Sequence, residues 1–582
     1  MPQKNTAHLP HVASYDTTLR DGAQRKGVSL SLEDKLHIAE ALDELGIDYI
    51  EGGFLGSNPK DAAFFDAYAR GELDLQHAQL AAFGLPVRRD TAPEDDPALR
   101  ELALCAAPVI TLVGKASKKQ VEQVLQASGA ENLRMIQESV RYLKAQGKRV
   151  FFDAEHYFDG YREDAGYALE VLAGARAAGA EYLVLADTNG GTLPYEIATI
   201  TRETAEVLDA GDGAGRAAAC GATYVAVPEI TCDTAPDIAR ETVAETVAET
   251  SYETQPKAVP LGIHAHDDSG CAVANTLEAV LAGAEMVQGT INGYGERVGN
   301  ANLLTVIADL ELKLGRTIIG PERLGLLTPV SRFVADTMNV ARDDYAPYVG
   351  ENAFTHKGGM HVSAEARLQD AYQHVDPASV GNFSHIVMSE LAGRAALEAK
   401  AKGLDLDLST LTQEGRLALL ERIKQREAQG YSYEAADASL ALLIKGELGC
   451  RPQYFRLESF RVITDRHAGG GEACEATIKI HVGEERFIAT AEGNGPVNAL
   501  DRALRAAITR FYPQIEQLEL HDFKVRVLDG STGTGAVTRV FIETSNGSEH
   551  WGTVGVNENI IEASWDALVD AITYGLMKGV CS

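Results

Sequence analysis

The sequence predicts an α/β protein: an N-terminal (β/α)8 TIM barrel, a helical linker region and a C-terminal α+β domain built by duplication. Three observations point there. Short apolar strands alternate with helical stretches through the first 310 residues, the pattern of βα units and a parallel sheet. Eight strand candidates can be counted, and eight is the barrel number. In the last 130 residues, Gly493 to Ile508 resembles Asn557 to Ile572 at a constant offset of 64, with Ala503 matching Ala567, Leu504 matching Leu568 and Ile508 matching Ile572.

The strand candidates are His11 to Tyr15, Tyr49 to Phe54, Gln79 to Phe83, Val109 to Val113, Val150 to Asp153, Tyr182 to Ala186, Gly262 to Ala265 and Met286 to Thr290. In the first crossover, Ser31 and Asp34 have capping-box spacing. Leu32, Leu36, Ala39, Leu42 and Leu45 then make an apolar stripe, and Gly46 ends the helix. The sixth and seventh strands are separated by about 75 residues, far more than a βα connection needs. This stretch, with an insertion at about 207–259, holds the acidic near-repeat Glu241 to Thr250 and reads as a surface insertion, part helix and part mobile. The expected domains are a barrel over 1–320, a helical linker over 321–453 and a duplicated domain over 454–582.

At 582 residues the chain has room for a barrel of about 250 residues plus further domains. With 45% hydrophobic and 24% charged residues it has the composition of a globular protein. No apolar run approaches the roughly 20 residues of a membrane helix, and the N-terminus carries no apolar signal segment, so cytoplasmic residence is the expectation. A net charge of -31 opposes binding to nucleic acid or an anionic membrane and reads as a solubility adaptation. Seven cysteines without a Cys-x-x-Cys pair disfavour a zinc ribbon or a disulfide framework.

Active sites of such barrels lie at the C-terminal strand ends. Polar residues follow strand one at Arg20 and Asp21, strand five at Asp153, Glu155 and His156, strand six at Asp187 and Thr188, strand seven at His264 and His266, and strand eight at Asn292 and Asn300. Residues i and i+2 of a strand share a face, so His264 and His266 can offer two imidazoles to one ion. Taken alone, the pair reads equally as two unrelated polar side chains. Joined to Asp21 and Asn300, it describes a metal site with open positions, as catalysis requires. Zinc suits the imidazoles and manganese or magnesium the oxygens, so the metal stays open. Arg20 suits the charge on an oxygen as a carbonyl becomes an alkoxide, or else a salt bridge at the barrel mouth. Glu155 suits proton transfer if an apolar setting raises its pKa, or else is a surface carboxylate. Thr188 suits a bond to a substrate carboxylate, and Asp187 equally a structural cap. His361, in a Gly-rich linker segment, reads as structural unless the domains place it over a barrel mouth. The run at Gly530, Gly533 and Gly535 lacks nucleotide-binding spacing and reads as a loop.

The segments Asp16 to Gln24, His264 to Asp268 and Gly295 to Asn302 resemble the signatures of the metal-dependent DRE-TIM superfamily of acyltransferases and lyases. Tyr49 to Gly53, Asn58 to Asp61, Asp153 to His156, Gly289 to Arg297, His356 to His361 and Gly493 to Ala499 resemble its citramalate-synthase branch over nearly the whole chain. The resemblance implies a divalent metal ion (Zn, Mn or Mg) on Asp21, His264, His266 and Asn300, with Arg20 polarising a carbonyl, Thr188 contacting a substrate carboxylate and Glu155 as the essential carboxylate. His361 and Tyr372 would be linker residues reaching over a neighbouring subunit's barrel. It further implies acetyl-CoA and pyruvate as substrates, a homodimer, and a C-terminal regulatory domain of the isopropylmalate-synthase type with isoleucine, or else leucine, as feedback effector. The base, Glu155 or a His361 arrangement, stays open, as do a bulkier 2-oxo acid and a carbon-carbon lyase. Three departures stand out: Asp267 replaces an Asn, Phe54-Leu55 replaces Trp-Pro, and the insertion after strand six is long.

Overall fold

The computed structural model describes residues 10–55, 58–210, 259–356, 364, 368, 371–386, 394–466, 472–528, 533 and 535–579. The predicted insertion therefore lies, apart from its first few residues, outside the described residues, and so do His361 and Gly530. Two compact units are present: one runs to Ala353 and includes Pro377–Phe383, and the other comprises Phe354–Asp376 and the chain from Ser384 onward.

The first unit is built on a closed barrel of eight parallel strands in chain order: β1 (Ala13–Asp16), β2 (Tyr49–Phe54), β3 (Gln79–Gly84), β4 (Val109–Lys115), β5 (Arg149–Glu155), β6 (Tyr182–Asp187), β7 (Leu261–Ala265) and β8 (Met286–Gly289). The expected eight strands are all present, with no end shifted by more than two residues. Strand periodicity sorts the barrel interior into levels. At the N-terminal end Tyr49, Phe151, Val184 and Met286 form an apolar plug with Tyr15, in which Phe151 meets Tyr49 and Tyr182 edge-on at 5.0 Å. Further along the strands the inward residues turn polar, as Glu51, Thr111, Asp153, Gln288 and His264, all buried. The barrel is therefore dry at its base and polar below its mouth.

The helix Leu32–Leu45 starts at the predicted capping box. Ser31 Oγ accepts the Asp34 amide at 3.1 Å, Asp34 Oδ2 accepts the Ser31 amide at 2.8 Å, and Gly46 ends the helix at φ 92°. Its buried face differs from the expected stripe: Ala39, Leu42 and Leu45 are buried as expected, but Lys35 and Ile38 join them in place of Leu32 and Leu36, which are only half-buried. Lys35 is tolerated there because Nζ donates to Gly52 O at 2.9 Å and to Asp61 at 2.5 Å, a paired buried charge.

In the second unit, the antiparallel sheet β11–β12–β13 (Arg456–Arg466, Glu472–Val482, Glu485–Gly493) precedes the helix Pro496–Ile508. The sheet β14–β15–β16 (Glu519–Val527, Thr538–Ser545, His550–Asn557) precedes the helix Ile560–Gly579. A short parallel pair, β9 (Thr355–His356) and β10 (His385–Ile386), comes before both sheets. The duplicated pattern is thus present in space. Ala503, Leu504 and Ile508 and their counterparts Ala567, Leu568 and Ile572 are all buried in the unit's core.

Candidate functional site

The loop after β1 turns at Asp16, whose two oxygens accept the amide and hydroxyl of Thr18, and this places Arg20 and Asp21 over the barrel mouth. Burial raises Asp16 to about 7 against those two bonds. Arg20 lies over the Phe83 ring at 4.1 Å, donates from Nε to Glu51 at 2.6 Å and reaches Asp21 at 3.1 Å. Glu51 is fully buried and also accepts the Tyr15 and Thr17 hydroxyls at 2.6 and 2.5 Å. The guanidinium is thereby fixed in plane and direction.

His264 and His266 project from the end of β7 to the same side, with ring centroids 5.0 Å apart and both Nε2 atoms 3.7 Å from Asp21 Oδ2. His264 Nδ1 lies 2.8 Å from Gln288 Oε1, and His266 Nδ1 lies 3.3 Å from the Asp187 carbonyl. Both acceptors call for Nδ1–H, which leaves the Nε2 lone pairs for a cation. Burial and the neighbouring His266 lower His264 to about 4. Although burial opposes it, Arg20 and the two imidazoles hold the Asp21 carboxyl far below the usual range.

Asn300 arrives from 34 residues away because residues 299–301 pair antiparallel with 265–267: Asp267 N donates to Gly299 O, Ala301 N donates to Ala265 O, and His266 faces Asn300. This requires small residues. A Cβ on Gly299 would lie 2.0 Å from Gly293 O, and one on Gly295 would lie 2.3 Å from Asn300 Nδ2. Asn300 Nδ2 donates to Tyr294 O at 3.1 Å. Its Oδ1 and the Oδ1 of Asp21 are buried acceptors without a hydrogen-bond partner among the described residues. Two imidazole lone pairs and two such oxygens suit a divalent cation, and Asp21, His264 and His266 form the one group of possible metal ligands found among the described residues.

Glu155 ends β5, but its setting is not apolar: its carboxylate meets Lys115 Nζ of the adjacent strand at 2.6 Å. Thr188 Oγ1 accepts the His156 amide at 2.8 Å and keeps its own hydrogen for another acceptor. Asp187 organises a turn, taking Thr192 Oγ1 at 2.7 Å, which matches the structural reading of that residue. Asn292, expected with the site, instead exchanges bonds with Ser331. Asp267 Oδ1 accepts the amide of Ala272, the first residue of the next helix, so this departure serves a helix start. Tyr372, in the second unit, is exposed, with its ring 6.3 Å from that of His356. Sequence reasoning missed Glu51 and Gln288; their signal was a polar side chain in the inward phase of a buried strand.

Residues 11–214 and 203–324 match the HMGL-like family, 348–430 the homocitrate synthase post-HMGL domain-like family, and 434–576 the LeuA allosteric (dimerisation) domain. The chain is 48% identical to an (R)-citramalate synthase of Streptomyces coelicolor, covering 97% of this chain and 96% of the relative. Proteins of the same name from Synechocystis sp. and Aquifex aeolicus are 47% and 45% identical, again over 97% of this chain, and over 96% and 97% of their own lengths. The barrel, its Asp-His-His cluster and identity along nearly the whole length place this chain in the (R)-citramalate synthase family of HMGL-like proteins.

Proposed function

We propose that this protein condenses acetyl-CoA with pyruvate and hydrolyses the thioester formed, releasing (R)-citramalate and CoA. The observation that carries the chemistry is the convergence of Asp21, His264 and His266 beside an Arg20 guanidinium held by Glu51. The choice of substrates follows the relatives that share the whole chain.

A divalent cation on Asp21, His264, His266 and Asn300 would act as a Lewis acid toward the oxygens of the 2-oxo acid. Arg20 holds the keto oxygen as it gains charge, without having to reorient, because Glu51 and Phe83 fix its guanidinium. Thr188 donates its free hydroxyl hydrogen to the pyruvate carboxylate. Glu155 takes a proton from the acetyl methyl group, with His361 and Tyr372 as the other candidates for proton transfer. The methyl carbon then bonds to C2 of pyruvate, the alkoxide gains a proton, and water cleaves the thioester.

The test is CoA release from acetyl-CoA with pyruvate, 2-oxoisovalerate or 2-oxoglutarate, after stripping metal and restoring zinc, manganese or magnesium. Metal-dependent release with pyruvate alone is expected. Preference for another acid would reassign the enzyme to isopropylmalate or homocitrate synthesis, and silence with all three would favour a lyase or a non-catalytic role. For the LeuA-type domain at 434–576 we propose isoleucine as effector, since citramalate leads toward its precursor 2-oxobutanoate. Inhibition of the full chain by leucine and not isoleucine would refute that. The working form is proposed as a cytoplasmic homodimer; among the described residues no helix is long and apolar enough to cross a membrane.

A further inference from the structure

The two histidines of the cluster are oriented by different means. His266 Nδ1 faces a backbone carbonyl, which cannot turn over. His264 Nδ1 faces the side-chain amide of Gln288, which can. If that amide were rotated, its NH2 would face Nδ1, the imidazole proton would move to Nε2, and the lone pair directed at the cluster would be lost. What opposes rotation is Asp153. Gln288 Nε2 donates to Asp153 Oδ1 at 3.2 Å, an oxygen that accepts in either protonation state of the carboxyl. Rotation would set the amide oxygen against the carboxylate instead, acceptor facing acceptor, an arrangement that only a protonated Asp153 could satisfy by donating. Gln288 and Asp153 are 1% and 4% exposed, so water does not compete for these bonds. The line crosses three strands: β5 holds Asp153, β8 holds Gln288, and β7 holds His264, which is paired in register with Gln288.

We propose that Gln288 and Asp153 are positioning residues for the metal site, acting together to hold His264 in the tautomer that presents Nε2 to the cation. This rests on the metal reading given above, and not on the identity of the 2-oxo acid.

The experiment is calorimetric titration of the metal-stripped full-length protein with Mn2+, in the absence of substrate. Gln288→Met, which preserves length but offers Nδ1–H only a weak thioether acceptor, and Asp153→Ala are each expected to weaken binding about 10- to 100-fold, the usual effect of removing a partner behind a ligand. The paired change Gln288→Glu with Asp153→Asn retains an acceptor for Nδ1–H and reverses the second bond, and is expected to return affinity to within about threefold of wild type. Thr111→Val, which removes a neighbouring inward hydroxyl bonded to Tyr15 rather than to this line, is the control for disturbance of the interior and should leave affinity within the same margin. Far-UV circular dichroism confirms folding of each variant. Unchanged affinity in Gln288→Met and Asp153→Ala would overturn the proposal, as would an equal loss in Thr111→Val or a paired variant as weak as Gln288→Met. A wild-type chain that binds no Mn2+ would remove the metal reading and this inference together. Normal Mn2+ binding with turnover of a different acid would fail only the substrate assignment.

Discussion

Replacing Glu51 tests how Arg20 is held. Its fully buried carboxylate takes three donors, from Tyr15, Thr17 and Arg20. Glu51→Gln can keep its amide oxygen toward Thr17 and Arg20 and turn its NH2 toward Tyr15. The Tyr15 hydroxyl can accept that bond and donate to Thr111 Oγ1, 2.7 Å away. Only the charge is then lost, and exchanging a charge-assisted bond for a neutral one costs about 1–2 kcal/mol of barrel stability. Glu51→Ala removes both acceptor oxygens, and with them all three bonds, and leaves a guanidinium only 11% exposed with Asp21 as its one remaining carboxylate among the described residues. Breaking a buried pair in this way costs about 3–5 kcal/mol. The assay follows from where the tryptophans lie. Trp551 and Trp565, the only two in the chain, both belong to the second unit, so their fluorescence reports that unit. Barrel unfolding in urea is followed instead by far-UV circular dichroism, with tryptophan fluorescence as an internal control that should not shift. If Arg20 stabilises the developing oxygen charge, kcat/KM in Glu51→Ala falls by about 10²–10³, the effect of losing one such donor. A Glu51→Ala protein with its barrel transition moved by less than about 1 kcal/mol and normal kcat/KM would refute the reasoning.

Three further outcomes are expected. His264 is lowered to about 4 from its ordinary 6.5, so between those values the unfolded chain binds a proton that the folded barrel does not. His264 therefore contributes stability that rises with pH across that window by up to about 3 kcal/mol, while Asp16 and Asp153, raised by burial to about 7 and about 8, contribute stability that falls with pH over the same range; the stability difference between wild type and His264→Gln, read from urea melts of the metal-stripped protein, should move in favour of wild type by that amount as pH rises. Gly295→Ala places a Cβ 2.3 Å from Asn300 Nδ2 and should displace that side chain, weakening Mn2+ binding about tenfold by calorimetry; wild-type affinity would remove Asn300 from the ligand set. Glu155→Gln breaks the Lys115 pair and, if Glu155 moves the proton, should lower kcat by about 10²–10⁴ while Mn2+ affinity holds; near-normal turnover would pass the role to His361 or Tyr372.

Much of this was legible because it is local. Strand and helix periods and the Ser31–Asp34 box depend on neighbours a few positions apart, the 64-residue repeat shows on comparing the chain with itself, and each appears in space. The spacing of His264 and His266 placed both rings on one side of β7 for the same reason. Lys35 was the local exception: its burial depends on Asp61 and Gly52 O, one crossover away, and no helical period reports a partner at that distance.

The sequence by itself determined the order of strands and helices, the polar character of the strand ends and the residue types able to hold a cation. Barrel closure alone decided which of them meet. Asp21, His264 and Asn300 are brought together because β1, β7 and β8 become neighbours and residues 299–301 fold back on 265–267, while Asn292, eight residues before Asn300, is turned away to Ser331. Pairing of adjacent strands chose the partners behind them: Glu51 on β2 for Arg20 after β1, Gln288 on β8 for His264 on β7, Lys115 on β4 for Glu155 on β5. Hydrogen bonds and ion pairs are set by angstrom-scale distances between residues far apart in the chain, and those distances exist only once the strands have paired in register and the sheet has closed.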